Sequence, residues 1–204
     1  MADRPWRSRR GFLFTAAAMG AFDARFAMAE SPAVPERVRK LIDAALSQVG
    51  VTTQYDSTYR RIPYPGGDVP IDVGVCTDVV IRAYRRALGI DLQQLVHEDM
   101  RRAWTQYPKL WNLSRPDTNV DHRRVPNLEA FFRRHGTQVP ATLDERRFLP
   151  GDIVSWRLPG GHPHIGLVID RREGDRPLVV HNIGAGVKVE DMLFSYPIVG
   201  HFRF

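Results

Sequence analysis

The hydrophobic pattern changes period once, near Pro150, and that switch limits what the chain can fold into. Before it, apolar residues recur at helical spacing. Val38, Leu41, Ile42, Ala45, Leu46 and Val49 form one stripe over residues 36–49, closed by Gly50. A second helix is predicted from Cys76 or Thr77, with Cys76, Val80, Ala83 and Ala87 on one stripe and Gly89 at its end. Asp91 is expected to cap a third helix running to about Trp104, and Asn127 a short fourth over residues 128–135, ended by Gly136. After Pro150 the spacing becomes two and β-branched residues dominate, predicting strands at 152–158, 164–170, 177–182, 187–190 and 198–204. Helices first and an antiparallel meander second give an α+β fold class. Residues 51–75 and 107–126 read as long irregular connections, a kind more often functional than idle.

The first thirty residues carry a different signal. Residues 8–14 read Ser-Arg-Arg-Gly-Phe-Leu-Phe, an Ala-rich apolar run reaches Phe22, and Ala27-Met28-Ala29 supplies a small-x-small cleavage pattern. The run is too short to span a bilayer core of about 30 Å. Paired arginines before a modest apolar stretch resemble the twin-arginine export signal, the alternative being a chance Arg pair in an ordinary secretory leader. The expectation is a leader over residues 1–29 cut after Ala29, passage through the twin-arginine translocon, and a single periplasmic domain over 30–204 with no stable membrane insertion. Five arginines and two aspartates in the leader hold half of the net charge of +6. What remains is a mild excess scattered in pairs such as Arg85-Arg86, which gives no footprint for nucleic acid.

One cysteine in 204 residues cannot form an internal disulfide, so in an oxidising compartment Cys76 is either an inert buried thiol or one kept for chemistry. Its place at a helix start favours the second: free N–H groups and the helix dipole are expected to lower its pKa and to hold an oxyanion. A thiol nucleophile needs a base, and the base an orienter. His164 opens one predicted strand and His181 nears the end of the next. A hairpin around residues 171–176 would bring the two imidazoles together, although Asn182 could orient the base instead.

Cysteine at a helix start, Pro150-Gly151-Asp152, His164-Ile165-Gly166-Leu167-Val168-Ile169 and a strand ending in histidine resemble the NlpC-type papain-like cell-wall peptidases. A closer resemblance is to a sister group, domain of unknown function number 1287. It rests on Gly74-Val75-Cys76-Thr77-Asp78, Asp121-His122-Arg123-Arg124-Val125-Pro126-Asn127-Leu128, His181-Asn182-Ile183-Gly184 and Gly200-His201-Phe202-Arg203, and covers nearly all of 36–204. The resemblance implies a papain-like fold, N-terminal helices on a C-terminal antiparallel sheet. It also implies Cys76 as nucleophile, His164 as base, His181 as orienter, and a tyrosine aiding the oxyanion, Tyr55 ahead of Tyr64. The implied activity is thiol-dependent hydrolysis of amides in peptidoglycan stem peptides, without a cofactor. Val-Cys-Thr-Asp departs from the peptidases' Asp-Cys-Ser, and the insertion 91–126 leaves substrate identity open.

Other readings stand beside this one. His162, His164 and His181 offer three nitrogens for zinc, the alternative of a metal-dependent wall hydrolase. In the thiol reading there is no metal, and His162 is a rim residue. The fold could also serve as a non-catalytic wall-binding module. Asp121, His122, Arg123 and Arg124 are either a solvated loop or a clamp for substrate carboxylates, which Arg forks match bidentately. His97-Glu98-Asp99 is expected at the surface.

Overall fold

The computed structural model describes residues 33–140 and 142–204, and Ala33–Phe204 forms one compact unit. The leader expected over residues 1–29 and its expected cleavage after Ala29 lie outside the described residues. Helix α1 (Glu36–Leu46) buries Leu41, Ile42, Ala44 and Ala45. It stops before the predicted 36–49 stripe does: the backbone turns away after Leu46, Gln48 goes inward to donate to the Val79 carbonyl at 2.9 Å, and Val49 is exposed. Two short strands missed by the periodicity follow, β1 (Gln54–Tyr55) and β2 (Val73–Gly74), paired in parallel. Two residues are too few to show a period.

Helix α2 (Cys76–Leu88) begins at the cysteine, and Gly89 ends it in the left-handed conformation at φ +65°. Asp91 caps α3 (Leu92–Arg102) as expected, its carboxylate accepting from the Gln93 N–H at 3.1 Å. Helix α4 (Val125–His135) starts three residues earlier than predicted. Pro126 sits in its first turn, where a missing N–H costs nothing, and Asn127 is inside the helix, its amide donating to the Asp121 carbonyl at 3.0 Å. Asn127 is therefore not the cap. Nor is Asp99 at the surface: it is buried, accepting from the Tyr107 hydroxyl and from Arg134, each at 2.7 Å.

Beyond α4 run β3 (Thr137–Gln138), β4 (Ile153–Arg157), β5 (Pro163–Glu173), β6 (Arg176–Asn182), β7 (Val187–Glu190) and β8 (Ile198–Arg203). They form one antiparallel sheet in the order β3-β8-β4-β5-β6-β7. Among the described residues this is four helices and a six-stranded sheet, the expected α+β class. Successive strand side chains point to opposite faces. Ile165, Leu167 and Ile169 of β5 pack with the helices, while Val168, with Trp156, Val154 and Val179, packs against Phe148 and Leu193 on the other side. No described helix is long and apolar enough to cross a membrane.

Candidate active site

Cys76 is the first residue of α2, and its stripe faces the core through Val80 and Ala83. The helix start is built tightly. Asp78, in the first turn, accepts from the Val75 N–H at 2.7 Å, and Thr77 donates its hydroxyl to the Arg123 carbonyl at 3.0 Å. Arg123 closes on Asp78 with contacts of 2.9, 3.0 and 3.3 Å, both side chains almost wholly buried, and also donates to the Asp56 carbonyl at 3.1 Å. The segment 121–124 is thus no solvated loop. Arg123 and His122 are buried, and Asp121 is spent on Arg124 at 3.0 Å and on the Asp117 N–H.

The two histidines meet as the hairpin predicts. His164 Nε2 and His181 Nδ1 are 3.0 Å apart, both rings buried, at 85° to one another. β5 and β6 pair Leu167 with Val180, so the rings stand diagonally across the ladder on one face. Gly166 between them permits it: a Cβ there would lie 2.6 Å from Val179 Cγ1 and 3.1 Å from His181 Cβ. Sequence reasoning missed the next group. Glu190 Oε2 stands 2.9 Å from His181 Nε2, off the direction of that ring's N–H. The signal available in the sequence was position alone, two residues past Lys188, which pairs with His181.

Cys76 and His164 line one cleft of about 480 Å³, together with Tyr55, Trp111, Arg123, Arg124, His162 and Ile183. The thiol and the imidazoles are not joined by a hydrogen bond among the described residues. The N–H of Ile165, next to His164, is directed at the sulfur, while the His164 ring leans to the opposite face of β5 against Trp156, centroids 5.8 Å apart. Burial pushes the Cys76 thiol up to about 12, outweighing the backbone N–H groups of Ile165, Thr77 and Cys76 itself, which pull it down. The expected low-pKa thiol is corrected accordingly: only 3% of the residue is exposed, and the cost of burying a thiolate exceeds what a helix start returns. Burial, then His181, lowers the His164 pKa to about 3. At rest both partners are neutral.

Of the two tyrosines, Tyr55 faces the thiol. Burial first, then the nearness of Cys76, raises its pKa to about 12. Tyr64 packs edge-on against His97 of α3, centroids 5.1 Å apart, and does not line the cleft. Asn182 orients neither histidine. Its amide donates to the Gly74 carbonyl at 3.0 Å, fixing the strand that leads into Cys76. Arg124 stacks on Trp111 at 4.0 Å from the ring centroid, on the cleft wall. His162 is exposed on the rim.

For a metal the residues fit poorly. Nε2 of His164 and Nδ1 of His181 are turned on each other rather than on a common point, and the described residues hold no cluster of three or more His, Cys, Asp or Glu placed to take an ion.

Residues 42–204 match the family described as Domain of unknown function (DUF1287). The chain is also 51% identical over 185 residues to Uncharacterized protein YijF of Escherichia coli (strain K12), an alignment covering 86% of this chain and 89% of that protein.

Proposed function

The chain belongs to the DUF1287 family, and we propose that it is an exported thiol hydrolase that cleaves amide bonds in peptidoglycan stem peptides on a papain-like, NlpC-type scaffold. The observation that carries this reading is the 3.0 Å His164–His181 contact at a cleft shared with a cysteine at a helix start. A base held by a second imidazole, beside a nucleophile whose helix offers free N–H groups, is the arrangement acyl transfer requires.

The neutral resting state defines the chemistry. With the thiol at about 12 and the imidazole at about 3, no thiolate–imidazolium pair is preformed. His164 Nδ1 has no hydrogen-bond partner among the described residues, and it takes the thiol proton only as Sγ attacks the substrate carbonyl. Substrate filling the cleft closes the gap between sulfur and ring, since such bonds commonly tighten in the complex. The N–H groups at the start of α2 and the Tyr55 hydroxyl receive the developing oxyanion. His164 then passes its proton to the leaving amine, and water, deprotonated by the same ring, releases the acyl group from sulfur. Arg124, flat on Trp111, offers its remaining N–H donors to a substrate carboxylate.

Purified peptidoglycan incubated with residues 30–204 tests the proposal. Soluble peptide fragments should appear by mass spectrometry, vanish with Cys76→Ala, and persist in chelator. Loss of release with chelator but not with Cys76→Ala supports the zinc alternative. Sedimentation with the wall without fragment release supports a binding module.

A further inference from the structure

We infer that Glu190 is a positioning residue that fixes which nitrogen of His164 carries the proton; this rests on the thiol-hydrolase reading for its purpose but not for its test. His181 Nε2 is fully buried, and the carboxylate of Glu190 at 2.9 Å is the acidic group beside it. The carboxylate lies off the line of a hydrogen on Nε2 and makes no hydrogen bond with it, but its negative charge at 2.9 Å disfavours a lone pair there, so Nε2 of His181 carries the hydrogen. Nδ1 of His181 is then a lone pair, and across 3.0 Å it accepts from His164 Nε2. That leaves the lone pair of His164 on Nδ1, the atom that must take the thiol proton. A single tautomer is thus selected along the line Glu190, His181, His164.

Glu190 reaches the line from outside. It is the last residue of β7, the sheet's edge strand, with its side chain 42% exposed, while His181 is 1% exposed. Its carboxylate pulls the His181 pKa up against burial, the larger effect, and against the positive charge of Lys188. Arg171 of β5 and Lys188 line the same groove beside it. Without the carboxylate, burial and the charge of Lys188 both keep His181 neutral, and no negative charge distinguishes its two neutral forms. The proton between the rings can then sit on either nitrogen, and His164 molecules with hydrogen on Nδ1 cannot act as base.

Long-range nitrogen–proton NMR of the imidazoles in folded residues 30–204 reads this without substrate. The wild-type spectrum should show His164 protonated on Nε2 and bare on Nδ1. Glu190→Ala should turn this into a mixture of both forms, and Glu190→Gln, which keeps the size of the side chain but removes its charge, should do the same. In fragment release, Glu190→Ala should lower kcat about tenfold and leave KM unchanged, as for other residues that orient a working imidazole. A wild-type His164 carrying its hydrogen on Nδ1, or a Glu190→Ala spectrum identical to wild type, overturns the inference. If the tautomers respond as stated while Cys76→Ala still releases fragments, the inference stands and the thiol reading falls.

Discussion

The guanidinium of Arg123 grips the Asp78 carboxylate inside the protein, two residues beyond Cys76, with its shortest contact at 2.9 Å. Forty-five residues apart in the chain, the two tie the helix that presents the thiol to the turn before α4. Breaking one side of a buried pair strands the other charge, at a cost of about 3–5 kcal/mol. Arg123→Met should lower the urea midpoint by that order. Asp78→Leu with Arg123→Met should recover part of it, because no lone charge remains. A single variant as stable as wild type would show that the pair contributes little.

Reactivity of the thiol follows from its burial. With its pKa at about 12, native Cys76 should react with an alkylating agent more slowly than the same cysteine in urea throughout pH 6–9. Rate against pH, followed by intact mass, checks this. A native rate exceeding the unfolded one near pH 6 would mean a thiolate exists at rest. The raised pKa also makes stability depend on alkaline pH. The contribution is whole below the unfolded value of about 8.5 and declines as pH climbs through the folded one.

Two buried histidines act in the opposite direction. His164 and His122 both lie near 3, mainly from burial, so the unfolded chain binds protons that the native one refuses. Their contribution is present above about 6.5 and is lost as pH falls toward 3. Asp121, pushed up to about 6 chiefly by burial, opposes this with one group against two. Urea midpoints at pH 7, 5.5 and 4.5 should therefore fall steadily, and less steeply for His164→Gln. A midpoint that rises on acidification would contradict the assignment of neutral rings.

Asn182 tests whether the loop before the nucleophile is held. Its amide bonds the Gly74 carbonyl at 3.0 Å. Asn182→Ala removes that bond and leaves the oxygen with the Asp56 N–H at 3.2 Å alone, a loss of about 0.5–1.5 kcal/mol, and should speed alkylation of Cys76 by loosening its approach. Unchanged stability together with unchanged alkylation would remove the role.

Much of this was legible in the sequence, for physical reasons particular to each residue. Helical and strand periods report burial, so α2, α3 and the hairpin of β5 and β6 came through, and with them Cys76, His164 and His181. The start of α4 did not, because Asn127 looks like a cap while Pro126 makes an earlier first turn equally acceptable. Asp99 reads as solvated, and Arg123 as either solvated or a substrate clamp, because their partners, Arg134 and Asp78, are distant in the chain. Glu190 was invisible for a related reason: its contact with His181 is diagonal across two strands, set by register rather than by local pattern. The thiol's pKa was misjudged in sign because helix position is local and visible, whereas the desolvation that dominates it is tertiary.

The most direct measurement is peptide mapping of the protein quenched in acid during turnover of a purified stem peptide. A mass increment equal to the acyl half of the substrate, located on Cys76, labile to hydroxylamine and more abundant at early times, is the predicted result. Turnover with Cys76 unmodified at every time point, continuing in Cys76→Ala, would contradict it.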